Sequence, residues 1–197
     1  MASVKSQYFN LQSRIWPNVG DSMHHHVLET ERLILRPLQT DDAEAEFVWL
    51  SDPVVNRYMA YSLYTNVADV VKWLEHAIAS DDLHFGFVRK SDSLLIGAGS
   101  LHLPADKSGE CEFGYNLRRD CWNQGYATEA TRAMIDLAHR EYGLRVFTAV
   151  HAVDNPASGR VMEKCGLHFD HFGEYSRFDG SETFPAKYWK LVLPEEC

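Results

Sequence analysis

Between Phe113 and Ala130 the chain runs from an alternating apolar stretch, Phe113 to Leu117, into Trp122-Asn123-Gln124-Gly125-Tyr126-Ala127-Thr128-Glu129-Ala130. Gly125 and Ala127 stand one residue apart, and an amphipathic helical pattern starts at once. A strand, a small-residue turn and a helix start aim several backbone N–H groups, and the positive end of a helix dipole, at one bound anion. A helix that opens with Gly because its turn is tight accounts for the same residues, and both readings stand on this stretch alone. A second helix start follows at Asn155-Pro156-Ala157-Ser158. Asn155 suits the N-cap, Pro156 the first helical position, and Ser158 a first-turn hydroxyl bonded to backbone. Such a helix start is also where a developing anion is stabilised. Two carboxylates, Glu110 and Glu112, share one face of the strand that leads to the glycine turn.

Other chemistries find less support. His24-His25-His26 point in different directions on any regular backbone, and the remaining histidines have no H-E-x-x-H spacing, so no metal site is expected. Cys111, Cys121, Cys165 and Cys197 are scattered without a C-x-x-C pair. They read as reduced, mostly buried thiols rather than a disulfide framework or a zinc site. The formal net charge is −9 and no basic cluster exceeds Arg118-Arg119, which argues against nucleic acid as a partner. An acidic surface tolerates cationic substrates. No apolar run approaches a membrane span and no apolar leader segment opens the chain, so the expected location is the cytoplasm.

The elements that must position these residues follow from periodicity. The 197 residues suit one domain, residues 28–197, preceded by an arm, residues 1–27. The arm has no sustained period, and its Tyr8, Phe9 and Trp16 suit packing on its own domain or on a second subunit of a homodimer. Arg32 to Pro37 alternates as a first strand. Thr40 is placed to cap a helix with Asp41, Asp42 and Glu44 in its first turn and Ala43, Phe47 and Leu50 as its apolar side. Thr65 or Asn66 opens another, carrying Val67, Val70, Val71, Leu74 and Ile78. A three-strand antiparallel meander follows over His84 to Arg89, Leu94 to Leu103 and Glu110 to Leu117. A helix from near Gln124 to Tyr142 ends at Gly143, Leu144 to His151 is a buried-type strand, and the Asn155 helix closes at Gly166. Two more strands, one after Gly166 and one over Lys187 to Leu193, end an α+β order of β-α-α-β-β-β-α-β-α-β-β.

This order, with Gln124-Gly125-Tyr126-Ala127 at a strand-to-helix junction and Asn155-Pro156-Ala157-Ser158 opening the next helix, resembles the GNAT superfamily of acyl-CoA-dependent N-acyltransferases. Thr30-Glu31-Arg32-Leu33-Ile34-Leu35-Arg36 and Glu112-Phe113-Gly114-Tyr115 are similar to its branch of ribosomal-protein N-terminal acetyltransferases, the RimJ/RimL type. The resemblance covers Leu28 to Leu193 and implies a central, mostly antiparallel, splayed sheet flanked by helices. It implies acetyl-CoA as co-substrate and a primary amine, on a protein N-terminus or a small molecule, as acceptor. The pyrophosphate would rest on backbone groups of Asn123, Gln124, Gly125, Tyr126, Ala127 and Thr128, since Trp122 stands where much of the superfamily has a polar residue. Tyr115, Asn116 and Leu117 would offer free backbone groups to the pantetheine arm, and Asn155 would cap its helix, touch CoA, or do both.

The resemblance also places catalytic roles. Glu112 matches the base that accepts the amine's proton, with Glu110 on the same face as competitor. Many relatives carry a proton-donating Tyr at a position that here is Met162, which cannot donate, whereas Ser158 matches a serine set near the CoA sulfur. Direct attack in a ternary complex is the expected mechanism. A non-catalytic acyl-CoA-binding protein that kept the fold is the alternative.

Overall fold

The computed structural model describes residues 26–105 and 109–194, so the expectations for the arm before His26 and for Cys197 lie outside the described residues. One eight-stranded sheet carries the chain, in the order β1-β2-β3-β4-β5-β6-β8-β7. Its strands are β1 (Leu28–Glu29), β2 (Leu33–Pro37), β3 (Leu83–Arg89), β4 (Leu94–His102), β5 (Glu110–Leu117), β6 (Val146–Ala152), β7 (His168–Ser176) and β8 (Thr183–Val192). Four helices flank it: α1 (Ala43–Leu50), α2 (Val67–Ala79), α3 (Tyr126–Tyr142) and α4 (Pro156–Lys164). Every neighbouring pair is antiparallel except β5 and β6. The α+β architecture and element order match the expectation, with β1 as an addition. Two residues are too short for a period-two pattern to register.

The sheet buries two cores. Leu33, Leu35, Phe85, Phe87, Phe113 and Phe147 pack with Ala130, Met134 and Leu137 of α3 and Met162 of α4. Val70 and Leu74 of α2 meet Trp49 and Leu50 of α1, with Leu38, Leu95 and Ala98, in the second. Local departures from the sequence reading are physical. Thr40 does not cap α1: a short 3₁₀ turn occupies Thr40–Asp42, and the Asp42 carboxylate accepts from Gln39 N at 2.8 Å. The face of α1 is rotated, so that Glu46 (1% exposed) and Trp49 are buried while Phe47 is only half-buried. Helix α3 begins at Tyr126, which leaves Gln124 in the turn.

Arg32, just before β2, and Arg36, within it, tie this strand to two helix starts. Arg36 grips both carboxylate oxygens of Asp42, at 2.8 and 2.6 Å, and fixes the entry to α1. Arg32 reaches across to the start of α3. Its Nε donates to Glu129 Oε2 at 2.7 Å and its Nη1 to the carbonyl of Gln124 at 2.8 Å, with the guanidinium 4.5 Å from the Tyr126 ring centroid. Thr30 Oγ1 donates to Glu129 at 2.6 Å. The sheet edge thereby clamps the glycine turn. Among the described residues no helix is long and apolar enough to cross a membrane.

Candidate active site

The sheet opens at its centre. Strands β5 and β6 are paired in parallel from Glu110↔Val146 to Glu112↔Thr148 and no further. Beyond that point β5 stays with β4 through Leu117↔Gly97, while β6 stays with β8 through Ala152↔Ala186. The two strands diverge, and Phe113 to Leu117 turn one backbone edge toward a wedge between them. Buried backbone groups without partners are costly, so an open edge inside a sheet is a place for an extended ligand to pair. Helix α3 follows β5 and helix α4 follows β6, so both begin at the open end of the wedge.

At the α3 start, Gly125 has φ +85° and Asn123 φ +59°, the left-handed region where a Cβ is strained. The first intrahelical bond, Glu129 N to Gly125 O at 3.0 Å, leaves the N–H groups of Tyr126, Ala127 and Thr128 without partners in the helix. Neighbouring side chains brace the turn instead of reaching outward. Trp122 Nε1 donates to Leu117 O at 3.0 Å, Gln124 Nε2 to Asp120 O at 2.9 Å, and Arg118 pairs with Asp120 at 2.9 Å. The Tyr126 side chain is buried beneath Arg32. Whatever anion this turn holds would meet backbone amides.

At the α4 start, Asn155 caps the helix by accepting from Ser158 N at 3.4 Å, with Pro156 at the first position. Asn155 Nδ2 also donates to Ser158 Oγ at 3.3 Å, and Tyr115 Oη donates to the same oxygen at 3.3 Å. A serine oxygen has two lone pairs and one hydrogen. With both lone pairs engaged, the Ser158 hydrogen is left for a third partner. Burial pushes the Tyr115 phenol well above its usual range, against the Ser158 hydrogen bond that lowers it, so the phenol keeps its proton. Met162 is buried in the core. Tyr115 of β5 instead brings a phenol hydroxyl to Ser158, a contact spanning 43 residues that no local pattern announces.

The opposite face of β5 carries Glu110, Glu112, Gly114 and Asn116. Glu110 forms an ion pair with Lys190, whereas Glu112 stands at the apex of the wedge, directly across from His102 on β4. The Glu112 charge is felt by its neighbours, helping to raise the buried Cys111 thiol, which burial mainly pushes up to about 12, and the Tyr188 phenol. Asn116 Nδ2 donates to Tyr61 Oη at 3.1 Å. Burial raises the Tyr61 phenol far above its usual range, and the nearby Glu46 carboxyl adds to the effect. Burial, reinforced by Asp42, lifts Glu46 itself to about 8, with a hydrogen bond from Trp73 opposing.

The loop between α1 and α2 is tied over this face to the β7–β8 hairpin. Arg177 donates to the carbonyls of Met59 (2.9 Å), Tyr61 (3.1 Å) and Arg57 (3.0 Å). Tyr175 Oη donates to Tyr58 O at 2.6 Å and Phe178 N to Ala60 O at 2.8 Å. Among the aromatics of the loop and hairpin, Tyr58 packs edge-on against the buried Phe184, Tyr61 against Tyr64, and Phe178 is exposed.

Residues 32–168 match the family described as Acetyltransferase (GNAT) domain. The chain belongs to the GNAT acetyltransferases. As a member it is an acetyl-CoA-dependent N-acetyltransferase. A similar curated protein is the uncharacterized N-acetyltransferase YoaA of Bacillus subtilis, 27% identical over 174 residues, which are 86% of this chain and 98% of YoaA. Among solved structures, a GNAT acetyltransferase from Bacillus anthracis superposes with TM-score 0.76 at 23% identity, covering 85% of this chain and 98% of that one. The ribosomal L7/L12 acetyltransferase RimL, solved with coenzyme A, superposes with TM-score 0.72 at 16% identity, covering 85% and 98%.

Within this GNAT fold the residues singled out from sequence fall into three groups. Glu112 closes the β5–β6 pairing, with Tyr115, Asn116 and Leu117 along the open β5 edge beyond it; Asn123 to Thr128 form the turn and first residues of α3; Asn155 and Ser158 form the α4 start. Cys121, buried, and Cys165, half-buried, are free thiols, as expected. Burial raises both thiols, Cys165 to about 11. Tyr115 as a side-chain donor, buried Glu46 and the Arg177 tie were not legible locally, because each depends on strand register or helix rotation.

Proposed function

We propose that this acetyltransferase moves the acetyl group to a primary amine, on a small cationic molecule or a protein N-terminus, by direct attack in a ternary complex. The carrying observation is the end of β5–β6 pairing at Glu112↔Thr148. Acetyl-CoA supplies an acetyl thioester, and the parted strands fit it. The Tyr115–Leu117 backbone pairs with the pantetheine arm as a strand would, and the amides at the start of α3 hold the pyrophosphate. Asn155 caps α4 and orients Ser158. The Ser158 hydroxyl, its lone pairs held by Tyr115 and Asn155, hydrogen-bonds the departing sulfur and stabilises the thiolate until it takes a proton released by the nitrogen.

Glu112 accepts a proton from the attacking nitrogen on the other face, from its place at the apex where β5 and β6 part. Carboxylates on that face and the chain's net charge of −9 favour a cationic acceptor. The test is release of CoA thiol from acetyl-CoA by a panel of diamines, polyamines and short peptides. Amine-dependent release is expected. Calorimetric binding of acetyl-CoA with no turnover on any amine would favour a binding protein instead.

A further inference from the structure

The strand paired with β5 carries a second polar constellation that the mechanism above does not use. His102, at the end of β4, is the cross-strand partner of Glu112, so the two side chains share one face of the sheet. Its Nδ1 lies 2.8 Å from Asp82 Oδ2, and its Nε2 lies 3.3 Å from Ser100 Oγ. Asp82 is itself fixed, since its other oxygen accepts from Leu103 N at 3.0 Å. A carboxylate on Nδ1 selects the tautomer whose Nε2 carries a lone pair, the logic of a catalytic triad. Ser100 is the partner of Gly114, whose missing side chain leaves the serine hydroxyl uncovered on the acceptor side. The His102 side chain is 30% exposed, which gives it a route to solvent. Among the described residues the charged or titratable groups facing it are Asp82 and His84 from the β3 side, the latter with ring centroids 6.4 Å away, and Glu112 from β5. Trp73 of α2 packs edge-on behind His84.

Resting on the acetyltransferase reading, we infer that His102, held by Asp82, is a second proton acceptor, taking through Nε2 the proton that Glu112 removes from the nitrogen and passing it to solvent. The balance of the reaction calls for one. An ammonium acceptor loses two protons as its nitrogen–carbon bond forms and the carbon–sulfur bond breaks; the thiolate takes one, and the other must leave the site. Glu112 holds one proton at a time. The neighbouring imidazole, with the Ser100 hydroxyl beside Nε2, clears it.

His102→Asn keeps a donor for Asp82 and removes the Nε2 base, while His102→Ala leaves room for added imidazole. Relative to the wild-type chain, His102→Asn is expected to lower kcat about 10²-fold, the low end of general-base effects, with the acetyl-CoA Kd unchanged by calorimetry. Imidazole is expected to restore at least about tenfold of the His102→Ala loss, a recovery that a structural role would not give. Thermal melts report whether each variant is folded, and His102→Gln, closer in volume, carries the same test should His102→Ala melt. A His102→Asn rate within threefold of wild type, or His102→Ala activity that ignores imidazole, would overturn the inference while leaving the acetyltransferase reading intact. A wild-type chain that releases no thiol with any amine would overturn both.

Discussion

Glu112 and Thr148 are the last partners in the parallel pairing of β5 and β6, and the carboxylate offered as base therefore sits at the apex of the wedge where the strands part. From there Phe113 to Leu117 lead to the α3 turn, and Ala149 to Ala152 lead to the α4 start. The donor's phosphate end and its sulfur are assigned to the two helix starts. The amine is assigned to the face that carries Glu112.

Ser158→Ala removes the hydrogen offered to the departing sulfur. An expected fall in kcat of about 10²-fold, with acetyl-CoA affinity unchanged, follows if its role lies in the transition state. Tyr115→Phe should show a smaller fall in the same direction, because Ser158 then keeps Asn155 as its remaining described donor. Steady-state kinetics with calorimetry of acetyl-CoA binding check both. Unchanged kcat in Ser158→Ala would remove it from the chemistry.

Gly125→Ala places a Cβ at φ +85°, 3.3 Å from Arg32 Nη2. The left-handed conformation costs about 1–2 kcal/mol for a non-glycine residue. The flexible guanidinium end can shift, but its bond to Gln124 O shifts with it. Lower denaturant stability and weaker acetyl-CoA binding are expected together, and a variant with wild-type values of both would contradict a glycine-dependent turn.

Glu46 makes stability pH-dependent. Burial holds its carboxyl protonated in the fold up to about 8, whereas in the unfolded chain it ionises near the ordinary 4.5. Between those values the unfolded state releases a proton that the folded state retains, so the Glu46 contribution to stability falls as pH rises from about 4.5 to 8 and is level above that. The size is of the order of a few kcal/mol. Glu46→Gln should therefore flatten the decline and be more stable than wild type at pH above 8, as judged by urea unfolding across pH. Parallel pH profiles for the two proteins would contradict a buried, neutral Glu46.

Arg177→Ala releases the carbonyls of Arg57, Met59 and Tyr61 from the hairpin. Hydrogen bonds to a charged group contribute about 1.5–3 kcal/mol each when isolated, and the exposed part of this set contributes less. The expected result is a raised acceptor KM with a much smaller change in acetyl-CoA affinity, since the tie reaches the donor strand through the Tyr61–Asn116 hydrogen bond and not directly. A change in acetyl-CoA Kd alone would assign the loop to the other side of the sheet.

The backbone geometry of the two helix starts was legible because it is local. Gly125, Ala127, Asn155 and Pro156 each announce their own backbone conformation, and the meander before them follows from period-two alternation. Glu46 was missed because an eight-residue helix with mixed composition does not reveal which way it rotates; the packing of Trp49 against α2 decides it. Tyr115 meets Ser158, and His102 faces Glu112 and Asp82, through register and splay between distant segments. Spacing in the chain carries no record of those contacts.

The central claim is that the acetyl-CoA arm pairs with the open edge of β5. Amide hydrogen exchange of residues 113–117, followed while acetyl-CoA is titrated to saturation, tests it most directly. Slowed exchange at Tyr115, Asn116 or Leu117, together with Tyr126 to Thr128, is the predicted result. Saturable binding that leaves both stretches exchanging as in the free protein would contradict the account.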